Sequence, residues 1–206
     1  MTPIAPCAAI RTWGSTPEER AATFACDALL PDADDALYRA VSVRAPAPTM
    51  FRWLCQLRLA PYSYDLVDNL GRRSPQALVP GTDQLVVGQR MVAIFRLASF
   101  EPGRELTLAA RGNRVFGDVA LTYRVEPVGP EDCRLVVKVL VRYPRHPLGR
   151  LGGFWLPAGD VVMMRRQLLN LRALAERDAR RPVPASDGPD PDPPSGRVAA
   201  GQPASR

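Results

Sequence analysis

The stretch from Ala60 to Pro75 carries the densest group of side chains that could do chemistry. It reads APYSYDLVDNLGRRSP, and its pattern predicts a short helix from about Tyr64 to Leu70 that ends at Gly71. Carboxylates and tyrosines are suited to acid–base work. In this segment they form either the mouth of a cavity or a hydrogen-bonded loop in which Asp68 pairs with Arg72. The acid–base candidates are Tyr62, Tyr64, Asp65 and Asp68.

The rest of the sequence gives little indication of a catalytic relay or a metal site. A Ser-His-Asp or Cys-His relay would depend on His146, the only histidine. His146 stands between Arg145 and Pro147 in a predicted loop, which favours a surface position. The cysteines include no CxxC pair, so the usual zinc spacing is missing. We therefore predict no metal and no cofactor, and we assign no catalytic residue. The cysteines are Cys7, Cys26, Cys55 and Cys133.

Charge and hydropathy limit the classes of partner. The 206 residues carry a formal net charge of +6. The basic residues are scattered, whereas nucleic-acid readers usually show a basic stripe, so we expect no nucleic-acid partner. Mild attraction to acidic ligands, or peripheral contact with an anionic membrane, stays open. The sequence has no apolar run long enough for a transmembrane segment and no signal-peptide pattern, and reduced cysteines suit a cytoplasmic protein.

The composition predicts one domain with a segment on either side. Residues 1–35 form an N-terminal extension whose short helix is capped by Thr16 and Glu19 in a capping box. Residues 182–206 contain seven prolines and are predicted to be a disordered tail. Residues 36–181 remain as the folded domain. The extension is either fastened to this domain or forms a lid over a pocket; the residues expected to fasten it are Trp13 and Phe24.

Alternating apolar residues predict an antiparallel meander. A first strand runs from Leu37 to Ala45, with Arg39 on the same side as Leu37 and Val41. Pro102-Gly103 marks a turn between the next two strands. The four later strands cover residues 89–101, 104–111, 117–126 and 133–143.

One register satisfies all of these alternations. The inward face then carries Val119, Leu121 and Tyr123 opposite the valines of the last strand. The charged pairs fall on the opposite, wetter face. The predicted pairs are Leu97–Leu108, Phe95–Ala110, Glu126–Arg134 and Asp118–Arg142.

Two helices flank the meander. The first covers Thr49 to Leu59. The second is capped by Asp160, runs to about Arg180 and has a continuous apolar face. Residues 147–159 are rich in Pro and Gly and are predicted to be a loop that plugs one end of the fold, forms a gate or touches a membrane. The apolar face of the second helix consists of Val161, Met164, Leu168, Leu171 and Ala175.

These elements resemble a known superfamily. The stretches LYRAVSVRAPAPTMFRWLCQL (37–57) and DVVMMRRQLLNLRALAERD (160–178), with the meander from Gln89 to Tyr143 between them, are similar to the START-like SRPBCC proteins of the polyketide cyclase/dehydrase and lipid-transport branch. The resemblance implies an α+β helix-grip fold, in which a curved antiparallel sheet wraps around a long C-terminal helix. It also implies an apolar cavity between sheet and helix. Members bind lipids, polyketides, sterols or hormones, and the family has no universal catalytic motif to transfer.

Several residues are candidates for such a cavity. Methionines and aromatic residues suit irregular apolar ligands, although each of them also suits an ordinary core. Polar residues of the 60–75 segment would stand at the rim, where Arg72 is the expected partner of an anion. The candidate ligand-binding residues are Trp53, Phe95, Tyr123, Met163 and Met164 inside, and Tyr62, Tyr64, Asp68 and Arg72 at the rim.

Three functions are compatible with this sequence. The first is binding or carrying a hydrophobic or amphipathic small molecule, such as a lipid or a polyketide-like compound. The second is a cyclase/dehydrase-type enzyme acting on a similar ligand, which needs an acid–base group inside the cavity. The third is a protein-interaction module with a filled interior and an apolar outer patch. The sequence names neither the ligand nor the oligomeric state.

Overall fold

The computed structural model describes residues 10–63, 73–92, 94–113, 117–145 and 147–180. After the N-terminal segment, the elements follow one another in the order that the sequence predicts: a strand, a helix, four consecutive strands and a long helix. The elements are α1 (Pro17–Ala21), α2 (Ala25–Leu29), β1 (Asp35–Val43), α3 (Ala47–Cys55), a 3-10 turn (Gln56–Arg58), β2 (Arg96–Glu101), β3 (Glu105–Asn113), β4 (Gly117–Pro127), β5 (Cys133–Arg142) and α4 (Pro147–Ala179).

The five strands form one antiparallel sheet in the order β1-β5-β4-β3-β2. Three of the four predicted pairs are confirmed. Their register places every second residue on the inner face, where one apolar cluster joins the sheet to α3 and α4. The confirmed pairs are Leu97–Leu108, Asp118–Arg142 and Glu126–Arg134.

The predicted strand over residues 89–101 is wrong in its first half. β2 begins at Arg96, and the chain before it doubles back on itself. The N–H of Gly88 donates to the carbonyl of Leu97, and the N–H of Met91 donates to that of Phe95. Phe95 therefore lies at a turn and does not pair with Ala110. The apolar residues before β2 fit one long strand as well as two short segments that fold back on each other, so the sequence pattern does not distinguish the two.

The C-terminal helix crosses the inner face of the sheet as predicted, but it starts earlier. α4 begins at Pro147, so the predicted loop over residues 147–159 is wrong. Proline suits the first turn of a helix, because its missing N–H would have no partner there. The Gly and Pro residues that follow lower helix propensity, but propensity alone is a weak guide to where a helix begins.

The charge pattern predicts that the outer face of the sheet is exposed to solvent, but this face is largely covered. Residues of the N-terminal segment 10–34 cover it and form a second apolar cluster with the sheet. The predicted capping box between Thr16 and Glu19 is confirmed. Glu19 also forms an ion pair with Arg134, at 2.6 Å, although the register places Glu126 opposite Arg134. The buried members of the second cluster are Phe24, Cys26 and Leu30 of the segment and Ala40, Ala120, Val136 and Leu140 of the sheet.

Within the described ranges, no helix has both the length and the apolar character that a membrane span needs.

Candidate functional site

A buried arginine lies in the apolar interface between the sheet and α4. Arg39 occupies an inward-facing position of β1 between Leu37 and Val41, and it is 0% exposed. Its Nη2 donates to Oδ2 of Asp160 at 2.7 Å, and its Nη1 donates to the carbonyls of Arg11 and Tyr38. Among the described residues, its Nε has no hydrogen-bond partner. An unused donor on a buried cation is costly, so this position calls for an explanation.

Asp160 is the counterion of Arg39. The predicted role of Asp160 as a helix cap is wrong, because it lies in the interior of α4. Burial raises the pKa of Asp160 to about 6, although the charge of Arg39 and its hydrogen bond act in the opposite direction. The side chain keeps 18% of its surface exposed. A carboxyl group with this pKa can exchange a proton near neutral pH.

Tyr123 provides a second polar group at the same interface. It shares a cross-strand row with Arg39, because both residues pair with Val137. Its hydroxyl donates to Oε1 of Gln167 at 2.7 Å, and the sulfur of Met164 lies 3.9 Å from the hydroxyl oxygen. Burial raises the pKa of Tyr123 well above its usual range, and the charge of Asp160 adds to this shift. Tyr123 is therefore a neutral donor at any physiological pH.

Gln167 links this cluster to the segment that follows α3. Its Nε2 donates to the carbonyl of Pro61 at 2.6 Å, while Nδ2 of Asn170 donates to the carbonyl of Tyr62 at 2.8 Å. Tyr62 adopts φ 56°, a left-handed conformation that is uncommon for a tyrosine. Two amide side chains of α4 thus hold a strained turn. Gln167 was missing from the predicted site, although a glutamine on the apolar stripe between Met164 and Leu171 is a signal for it.

No family model matches the sequence, and no curated protein matches it. Among solved structures, the aromatase/cyclase ZhuI from Streptomyces sp. R1128 superimposes with a TM-score of 0.51 at 17% identity, over 71% of this chain and 96% of that chain. The chain has the helix-grip fold. A START superfamily protein from Mycobacterium smegmatis superimposes less closely, with a TM-score of 0.37 at 17% identity over 65% of this chain and 98% of that chain. The fold assignment rests on the first structure together with the sheet and helix themselves.

The helix-grip interior brings some of the predicted ligand-binding residues together. Tyr123 and Met164 face each other between the sheet and α4. Trp53 is buried as well, but its Nε1 donates to Asp178 at 3.1 Å. Its ring meets that of Tyr62 edge to face, with centroids 6.0 Å apart. Trp53 and Tyr62 therefore lie in the contact between α3 and α4, and partly buried Phe95 lies at the turn before β2.

The predicted inward position of Met163 is wrong. Its side chain is 40% exposed, because each residue advances a helix by about 100°, which turns this position away from neighbouring Met164. Met163 falls instead on the stripe of α4 that carries Gln167 and Asn170, on the side of Pro61.

Three predicted rim residues lie outside the described residues: Tyr64, Asp68 and Arg72. Asp65 and His146 also lie outside them. Their roles stay predictions.

A groove of about 570 Å³ lies on the outer face, between the N-terminal segment and the sheet. It is not at the position where the helix-grip resemblance implies a cavity. Its three carboxylates already have partners: Asp27 pairs with Lys138, Asp35 pairs with Arg11, and Asp34 accepts from the N–H of Tyr143. Within the described ranges, no group of three or more His, Cys, Asp and Glu side chains could hold a metal ion.

The raised pKa of Asp160 predicts a pH dependence of stability. Because this pKa is higher in the folded chain (about 6) than the ordinary value of 3.8, the folded state binds more protons between these values. The contribution of Asp160 to the free energy of unfolding therefore falls as pH rises from about 4 to about 6, by roughly 2–3 kcal/mol. Urea denaturation of the wild type and Asp160→Asn at several pH values measures this. The free energy of unfolding of the wild type, minus that of Asp160→Asn, should fall by this amount over that window, and a constant difference would contradict the prediction.

Proposed function

We propose that this chain binds an apolar or amphipathic small molecule between the sheet and α4. The observation that carries the proposal is the polar cluster inside an otherwise apolar interface, with one donor of the buried Arg39 left unused. A few fixed polar groups among apolar walls are typical of small-molecule sites. In this proposal Arg39, Asp160 and Tyr123 meet the polar part of the ligand, and Met164 meets the apolar part.

The ligand enters along the flank of α4 that carries Met163. This flank borders Pro61 and Tyr62, whose carbonyls are held by Gln167 and Asn170. An exposed methionine at such an edge suits an irregular apolar ligand, since its side chain is flexible and polarisable.

A fluorescent-probe titration tests the binding. Saturable binding of cis-parinaric acid to the wild type is expected. Met164→Trp and the milder Met164→Phe should weaken it in that order, since the larger rings fill the space next to Tyr123. Val162→Trp is the matched control, because Val162 is 53% exposed on the same helix and this change should leave binding intact. Thermal unfolding checks that each variant is folded.

Two results would overturn the proposal. One is the absence of saturable binding to the wild type, which would favour the interaction-module hypothesis. The other is equal binding by all the folded variants, which would place the probe elsewhere on the protein.

A cyclase/dehydrase-type enzyme is the second candidate function. The specific observation in its favour is Asp160, whose pKa of about 6 suits a general acid or base near neutral pH. ZhuI, a similar structure, is named an aromatase/cyclase. Mass spectrometry of a β-hydroxyketone incubated with the protein separates the two functions. A carrier returns the compound unchanged, whereas a dehydrase returns it with one water lost, and Asp160→Asn should abolish that loss.

A further inference from the structure

The guanidinium of Arg39 is only partly used. Its three hydrogen bonds come from Nη1 and Nη2, while the Nε–H has no partner among the described residues. Nε and Nη2 lie on the edge of a guanidinium that can hold both oxygens of a carboxylate or another oxyanion. Asp160 meets this edge through Nη2 alone. Within the described part of the chain, the Nε–H donor of this anion-binding edge is therefore buried and unpaired.

We propose that Arg39 binds the anionic head of an amphipathic ligand, whose oxyanion takes the Nε–Nη2 edge in place of Asp160. This inference rests on the proposed function and specifies the chemical class of its ligand. The apolar tail of the ligand then lies along the inner face towards Met164 and Tyr123. The head group belongs to an organic acid, such as a carboxylate or a sulfonate.

Charge balance decides what happens to Asp160. Two anions on one buried guanidinium would leave an uncompensated negative charge, which is costly in an apolar interior. Asp160 therefore takes one proton from solvent as the ligand binds, and the site stays neutral. The exposed part of its side chain gives that proton access. The proton comes from water or the buffer acid, and no other covalent bond forms or breaks in the protein or the ligand.

The other charged and titratable groups around the site have partners of their own or stay neutral. On β1, Asp35 accepts from Arg11 and from the hydroxyl of Tyr143. On β4, Tyr123 already carries its proton and stays neutral. Asp160, whose pKa burial has already raised, is the group that can change its charge near neutral pH.

The inference predicts a different pH dependence for charged and neutral head groups. Linkage to one proton makes the affinity for an anion fall about tenfold for each pH unit above the pKa of Asp160. A neutral ligand of the same length exchanges no charge with Asp160, so its affinity stays constant with pH. An acid whose own charge is fixed is needed, so that the slope reports the protein alone.

Isothermal titration calorimetry with sodium octanesulfonate and octan-1-ol tests this between pH 5 and pH 9. For the wild type, the affinity for octanesulfonate should be steady below about pH 6 and fall about tenfold per unit above it. Titration at pH 7.5 in buffers of different ionisation enthalpy should show the uptake of about one proton. The affinity for octan-1-ol should not change with pH.

Two variants test whether Arg39 binds the anionic head group. Asp160→Asn should bind octanesulfonate more tightly than the wild type at pH 7.5, without a pH slope. The double variant Arg39→Met/Asp160→Asn differs from it only at Arg39, and it should lose at least tenfold in affinity for octanesulfonate while octan-1-ol binding changes less than threefold. Circular dichroism confirms that both are folded. If either does not fold, the pH slope and proton uptake of the wild type still decide.

The outcomes separate this inference from the proposed function. If octan-1-ol and octanesulfonate bind the wild type with the same pH-independent affinity, the anionic head is wrong and binding between sheet and helix stands. If neither compound binds, both fail. A falling affinity for octanesulfonate together with proton uptake supports both.

Discussion

Replacing Asp160 by leucine should lower the free energy of unfolding by about 3–5 kcal/mol at pH 7. Leucine leaves the guanidinium of Arg39 in an apolar interior with neither a counterion nor an acceptor on Nη2. Asparagine also removes the charge, but it keeps an acceptor oxygen for Nη2, so Asp160→Asn should lose less stability than Asp160→Leu at this pH. Urea denaturation followed by circular dichroism measures both values.

The double variant Arg39→Met/Asp160→Leu provides the matched control. It replaces both charges by apolar side chains, and pairs exchanged in this way are often neutral or stabilising. Recovery of most of the stability lost in Asp160→Leu is expected. If the double variant is as unstable as the single one, the loss comes from packing around position 160 and not from the unpaired charge.

The core of the sheet could be predicted because the inward positions of the strands from β3 to β5 are apolar at a two-residue spacing. A slip of one residue would turn Tyr123 and Val137 outward, so the pattern allows one register. The segment before β2 offered no such constraint. Its apolar residues fit one long strand as well as two short arms, and only the hydrogen bonds between Gly88, Leu97 and Gln89 decide between them.

The polar part of the candidate site was harder to predict. Arg39 shares the parity of Leu37 and Val41, but a single arginine in an edge strand is usually a surface residue. Its partner Asp160 is far away in sequence, and an aspartate after Pro and Gly is typical of a helix cap. Only the three-dimensional contact between β1 and α4 identifies the pair. The rim roles of Tyr64, Asp68 and Arg72 stay predictions.

The N-terminal segment supplies part of the core and not only a cover. Phe24 is buried against the outer face of the sheet. The guanidinium of Arg124 lies 4.0 Å from the centroid of its ring, and the ammonium of Lys138 lies 5.6 Å from it. The same two residues also bind the segment directly, because Arg124 donates to the carbonyl of Thr23 and Lys138 pairs with Asp27.

Phe24→Ala should therefore lower the free energy of unfolding by about 3–5 kcal/mol, since it leaves a cavity and removes the ring beneath two cations. Val128→Ala, at a residue that is 73% exposed, should change stability by less than about 0.5 kcal/mol. Urea denaturation followed by both tryptophan fluorescence and far-UV circular dichroism measures the two variants. Coincident transitions in Phe24→Ala, shifted to lower urea, mean that the segment and the sheet unfold together. A loss below about 1 kcal/mol, or a separate early transition, would instead make residues 10–34 an appendage of the sheet.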